Sequence, residues 1–143
     1  MDEPTPRHTR PDGVDDATVS ALGKLSEALE AVEAARGHLY SFHRLCGTAD
    51  LTLGDAVDEL REAGHGDLAD RIETELVGRN ILEGRWSFQV VEEYDEGYYE
   101  PFKDLEEQAR DELAEGRKHL FEAEMKERRR TRGRPHHAAT PPD

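Results

Sequence analysis

Apolar positions recur at helical spacing along most of this chain. Leu22, Leu25, Leu29, Val32, Leu39 and Cys46 fall three, four and seven residues apart, with Ala28, Ala35 and Phe42 beside them. That one-sided pattern predicts an amphipathic helix over about 17–46. Asp15 or Asp16 is placed to cap its start, and Gly47 to end it. Gly23 and Gly37 lie inside it, each at a cost of about 1 kcal/mol relative to Ala, so Gly37 is expected to mark the close approach of another backbone.

A second, shorter helix is expected after Thr48–Leu51, with Thr52 and Asp55 as a capping pair and Leu53, Ala56, Val57 and Leu60 as its buried face. Gly64-His65-Gly66 reads as a tight turn into a third helix, capped by Asp67, in which Leu68, Ile72 and Leu76 repeat every four residues. So short a turn makes these two helices antiparallel neighbours. The third helix weakens at Gly78 or runs on to Gly84.

Residues 85–99 fit two patterns. Trp86, Phe88 and Val90 alternate as a strand would, while Phe88, Val91 and Tyr98, flanked by Trp86, Val90 and Tyr94, make a wide helical face. Helix is the preferred reading, because a five-residue strand would have no partner elsewhere. Glu100-Pro101 suits a helix start, and Phe102, Leu105, Ala109, Leu113, Leu120 and Ala123 carry that helix to about 130 with Gly116 inside it. The predicted fold is all-α: a small helical bundle of two long and two or three short helices, with antiparallel helical hairpins and coiled-coil-like packing. Residues 15–130 form one helical domain. Residues 1–14 and the Pro-rich, basic 131–143 lack apolar clusters and read as disordered tails.

Composition narrows the function classes. The chain is 35% apolar and 36% charged with a net charge of −14, as suits helices with large solvated faces. Residues 13–125 hold 28 acids against 11 basic residues, a body that repels nucleic acid and anionic lipid. Residues 126–143 reverse the sign, so nucleic acid is unlikely as a partner except through that basic tail. No apolar run is long enough for a membrane span, and no secretory leader is expected from Met1-Asp2-Glu3-Pro4. The single Cys46 precludes an internal disulfide and fits a reducing, cytoplasmic setting. The Arg bias, 15 Arg to 4 Lys, suggests GC-rich, bacterial coding.

The chemistry-bearing residues concentrate in two stretches. One is 79–99, with the only Trp, three of the four Tyr and five acids. The other is His38–Cys46. His43 and Cys46 share a helical face, but His38 lies about 140° away from His43 and no CxxC, HExxH or second Cys completes a ligand set, so no metal or other cofactor is expected. Glu62-x-x-His65 has the di-iron spacing once, broken by Gly64 and without a second copy. The run Glu92, Glu93, Asp95, Glu96 contains paired carboxylates that suit acid–base work, or a solvated face, or partners for Arg79 and Arg85.

If the segment 85–99 packs beside the first helix, His43, Arg79, Arg85, Trp86, Gln89, Glu92, Tyr94 and Tyr98 converge, with His38, Tyr40, Arg44 and Asn80 nearby. Three readings remain open for that constellation: a polar network tying the bundle together, a protein interface, or a small-ligand pocket. No GxGxxG, GxxxxGK[ST] or GxSxG motif occurs. The expected function is a protein-interaction or regulatory module without enzymatic activity, with a protein partner or self-association. The alternative is a small-ligand- or metal-binding, or catalytic, bundle using His43 with Glu92, Tyr94 and Arg85.

Overall fold

The computed structural model describes residues 2–143. It is all-α, with no β-strand among the described residues. Five α-helices follow in order: α1 (Asp16–Glu62), α2 (Gly66–Glu75), α3 (Ser87–Tyr94), α4 (Glu100–Ala114) and α5 (Leu120–Arg129). A single 3-10 turn, Pro6–His8, precedes them, and a π-helical turn, Asp95–Tyr99, joins α3 to α4. Among the described residues no helix is long and apolar enough to cross a membrane.

α1 corrects the expected boundary at Gly47. Its 47 residues fuse the first two predicted helices into one. Asp15 caps the start, its Oδ1 accepting the Thr18 N–H at 2.8 Å. Gly47 has no positive φ, and the inward positions run on through it without a phase change. Val32, Arg36, Leu39, His43, Cys46, Asp50, Leu53, Val57 and Leu60 are all buried or half-buried, alternating steps of four and three. Burial along that continuous row offsets the roughly 1 kcal/mol propensity cost of a helical Gly. The true end comes at Gly64, whose φ of +90° a side chain would resist. Asp67 does not cap α2. The cap position is His65, and Asp67 lies in the first turn, where its charge meets the helix dipole.

The long last helix also breaks. Glu115, Gly116 and His119 all have positive φ, which separates α4 from α5. The Gly116 N–H reaches back to the Arg110 carbonyl at 3.0 Å, and that of Arg117 to Ala114 at 3.0 Å, satisfying the last carbonyls of α4.

Two compact units divide the chain. One comprises the N-terminal residues through Val32 with Pro101–Asp143; the other is Glu33–Glu100. The first unit has a clustered core of Val19, Leu22, Ala114 and Leu120, against which Val14 and Ala109 pack. Here lies the close helix approach: a Cβ on Gly23 would sit 3.0 Å from the Phe121 Cβ, whereas one on Gly37 would meet nothing within 4 Å. Glu106 and Arg110 are buried in the same unit. The Arg110 Nε donates to Glu106 Oε1 at 2.7 Å and its Nη1 to the Gly116 carbonyl at 3.2 Å, while the Ser26 hydroxyl donates to Glu106 at 3.1 Å. The terminal segments read as tails make specific contacts in this unit. Arg10 pairs with Glu124 at 2.6 Å, and the Arg130 guanidinium binds the Asp2 carboxylate at 2.6 Å.

The second unit is built differently. Its buried residues are few: Val57, Ala69 and Ser87. Much of its apolar complement lines a groove or faces solvent, and the sequence-derived candidates lie here.

Candidate functional site

The segment after α2 is shaped by two glycines. Gly78 and Gly84 have φ of +74° and +71°. The second makes a tight reversal in which the Ile81 N–H donates to the Arg85 carbonyl at 2.8 Å and the Arg85 N–H to Leu82 at 2.9 Å. Trp86 then precedes α3 in an extended conformation, and the Gln89 side chain accepts the Trp86 N–H at 2.8 Å. This is the carboxamide half of a capping box; an indole can only donate, so the other half is absent. The indole N–H of Trp86 instead donates to the Gly78 carbonyl at 3.2 Å, and Gly78 donates its own N–H to Asp50 on α1 at 2.8 Å. Helix is therefore the state of 87–99, and the alternation of Trp86, Phe88 and Val90 is coincidental.

His43 does look at this segment. Its Nδ1 lies 2.8 Å from the Ser87 hydroxyl, which also faces the His43 carbonyl at 3.3 Å, and the Tyr40 ring stands edge-on to the imidazole at 5.8 Å. Ser87, only 6% exposed, is the partner that the sequence did not reveal. A lone Ser at a helix start reads as an ordinary first-turn residue, and nothing local signals contact with α1. The pair is not a hydrolytic triad: among the described residues no carboxylate holds the other ring nitrogen.

The rest of the constellation separates into local pairs. Arg85 donates to Glu93 at 2.7 Å and to the Glu83 carbonyl at 2.9 Å on the surface. The rings of Tyr94 and Tyr98 lie 5.7 Å apart, tilted by 46°. Glu92 is exposed, and no hydrogen bond links it, Tyr94 or Arg85 to His43. Arg79 makes only a long contact to the Glu75 carbonyl, 3.4 Å, and has no carboxylate partner.

The strongest polar constellation joins Asp95, from the run of acids, to Arg36, Tyr99 and Glu33, none of which was among the candidate site residues. The Arg36 guanidinium makes a bidentate pair with Asp95, at 2.7 and 2.9 Å, and lies 5.0 Å from the Tyr99 ring centre. The Tyr99 hydroxyl donates to Glu33, its oxygen lying 2.8 and 2.7 Å from the two carboxylate oxygens. Arg36 holds the Asp95 carboxyl below its ordinary value, and the Glu33 carboxylate raises the Tyr99 phenol. The π-helical turn is thus clamped to α1. Its widened bonding, with the Glu100 N–H reaching the Asp95 carbonyl, comes immediately before Pro101. Pro101 has no N–H to give, and its ring would crowd the carbonyl four residues back in a regular helix.

Two surfaces remain. An open groove of about 650 Å³ runs between α1 and the 76–87 segment, with Cys46, Leu53, Leu76, Arg79, Ile81 and Trp86 among its walls. Along α1 a separate row of exposed positions, Ala35, His38, Phe42, Leu45 and Ala49, repeats at steps of three and four. Phe42 is 44% exposed and Leu45 67%. No group of three or more His, Cys, Asp or Glu that could hold a metal occurs among the described residues.

No family model, curated protein or solved structure matches this chain.

Proposed function

We propose that this protein is an interaction module without enzymatic activity, and that the outer face of α1 is its docking surface, with a second copy of the chain as partner. The observation that carries the reading is a sixteen-residue stretch, 34–49, without a single acid in a chain that has 33. Its exposed row Ala35, His38, Phe42, Leu45 and Ala49 follows a heptad spacing. Two copies of net charge −14 repel each other over most of their surface. Here they meet least opposition and have apolar area to bury.

The row is also self-complementary. Read antiparallel about Tyr40, it sets Leu45 opposite Ala35 and Phe42 opposite His38, so that large side chains face smaller ones on both sides of a two-fold axis. Sedimentation velocity over a concentration series tests this. The wild type is expected to gain mass with concentration, and Leu45→Glu to remain monomeric with its helicity intact. A wild-type chain that stays monomeric at every attainable concentration overturns the reading.

A further inference from the structure

The groove beside that face makes a different demand. Its volume of about 650 Å³ falls in the range of small-molecule sites, roughly 300–1,000 Å³. Its walls are mainly apolar side chains of α1 and of the 76–81 loop, with Trp86 and Ser87 also lining it. Two ionised groups border it, Asp50 and Arg79, and they are not equivalent. Asp50 is already engaged, accepting the Gly78 N–H at 2.8 Å. Among the described residues Arg79 has only the 3.4 Å contact to a backbone carbonyl and no ion pair, at the edge of an apolar trough. Most other guanidinium groups of this unit have found carboxylates: Arg36 with Asp95, Arg61 with Asp70 and Glu73, Arg85 with Glu93. In so acidic a protein, an Arg left unpaired at the edge of an apolar groove selects an anion that brings an apolar body with it.

We propose that the groove binds a single-chain amphiphilic carboxylate, its alkyl tail along Leu53, Leu76 and Ile81 and its carboxylate on the Arg79 guanidinium. This goes beyond the docking role of α1, with whose exposed row the groove shares only Ala49. Arg supplies a planar fork that meets both oxygens of a carboxylate, and the apolar walls supply the larger share of the free energy through burial of the tail.

Trp86 is the only tryptophan and lines the groove, so its emission reports occupancy directly. The full chain is titrated with laurate, with dodecyltrimethylammonium and with dodecanol, each below its aggregation concentration. Saturable one-to-one binding is expected for laurate, tighter than for the other two. Arg79→Gln should weaken it about tenfold, the size expected for one hydrogen-bonded charge, while Arg71→Gln, exposed on α2 and outside the groove, should leave it unchanged. Equal binding of all three amphiphiles, preference for the cation, or no saturable response overturns the proposal. So does Trp86 emission that shifts on protein dilution and ignores laurate, since a second copy would then fill the groove. The sedimentation series on Leu45→Glu reads the α1 face separately, so either proposal can fail while the other stands.

Discussion

Three glycines of α1, at 37, 47 and 54, have open space where a Cβ would go, and none has a positive φ. Each therefore bears the helix-propensity cost of glycine, about 1 kcal/mol relative to Ala, with no packing return inside the chain. Gly37 and Gly47 stand ten residues apart, roughly 15 Å along the axis, far enough for their effects to add. The double variant Gly37→Ala/Gly47→Ala should gain about 2 kcal/mol, or about 4–8 °C in melting temperature for a chain of this size. Gly23→Ala is the contrasting case. Its new methyl would sit 3.0 Å from the Phe121 Cβ and 3.1 Å from its Cγ. The Cβ is fixed by the backbone and cannot rotate aside, so α5 must shift. Overpacking of about 1–3 kcal/mol then cancels or exceeds the propensity gain. Thermal melts followed by far-UV circular dichroism, at concentrations where the chain is monomeric, separate the two signs. A double variant that melts below wild type would refute the claim that α1 is open at these positions, and a Gly23→Ala gain of a full 1 kcal/mol would refute the close approach of Phe121.

Removing Glu106 strands the buried Arg110, so Glu106→Ala should cost about 3–5 kcal/mol in urea unfolding; Glu106→Gln, which keeps an acceptor for Ser26 and Arg110, should cost less. The clamp of the π-helical turn predicts a two-sided pH dependence. Asp95 titrates below its ordinary 3.8 in the folded protein, so its contribution is present above pH 3.8 and is lost as pH falls through the lower folded value. Tyr99 titrates above its ordinary 10.0, so its contribution is present below pH 10.0 and is lost as pH rises through the higher folded value. Melting temperature across pH should show Asp95→Asn flattening only the acid limb and Tyr99→Phe only the alkaline limb; a loss of both limbs in either variant would mean the two contacts are not separate.

Helix type was legible because the apolar positions keep a single period, and boundaries were misread where glycine was taken as punctuation by itself. Gly47 and Gly64 look alike in sequence. What distinguishes them is the row Cys46, Asp50, Leu53, Val57, which continues in phase past Gly47, whereas Gly64 is followed by His65-Gly66 and a new phase. Gly116 went the other way: Leu113 and Leu120 are seven apart and appear continuous, yet the chain turns between them at three residues of positive φ. The site divides on the same principle. That His43 faces the 85–98 segment was legible only as a condition, that the segment pack beside the first helix, and its partner, Ser87, carries no periodic signal. Arg36 and Asp95 were hidden for the opposite reason. Asp95 sits among similar acids far along the chain from Arg36, and only the path of the backbone selects which Arg meets which acid.

The clamped turn lies immediately before Pro101. An uninterrupted α-helix from Ser87 onward would put the proline ring against the Gly97 carbonyl. Widening the helix over Asp95–Tyr99 relieves the conflict. Asp95 and Tyr99 then bracket Arg36, and Ser87, at the far end of α3, comes to lie against His43. The wide turn, the ion pair and the buried Ser–His contact are thus parts of one register choice between α3 and α1. The apolar side chains near Trp86 that this register leaves unburied are the ones that wall the groove.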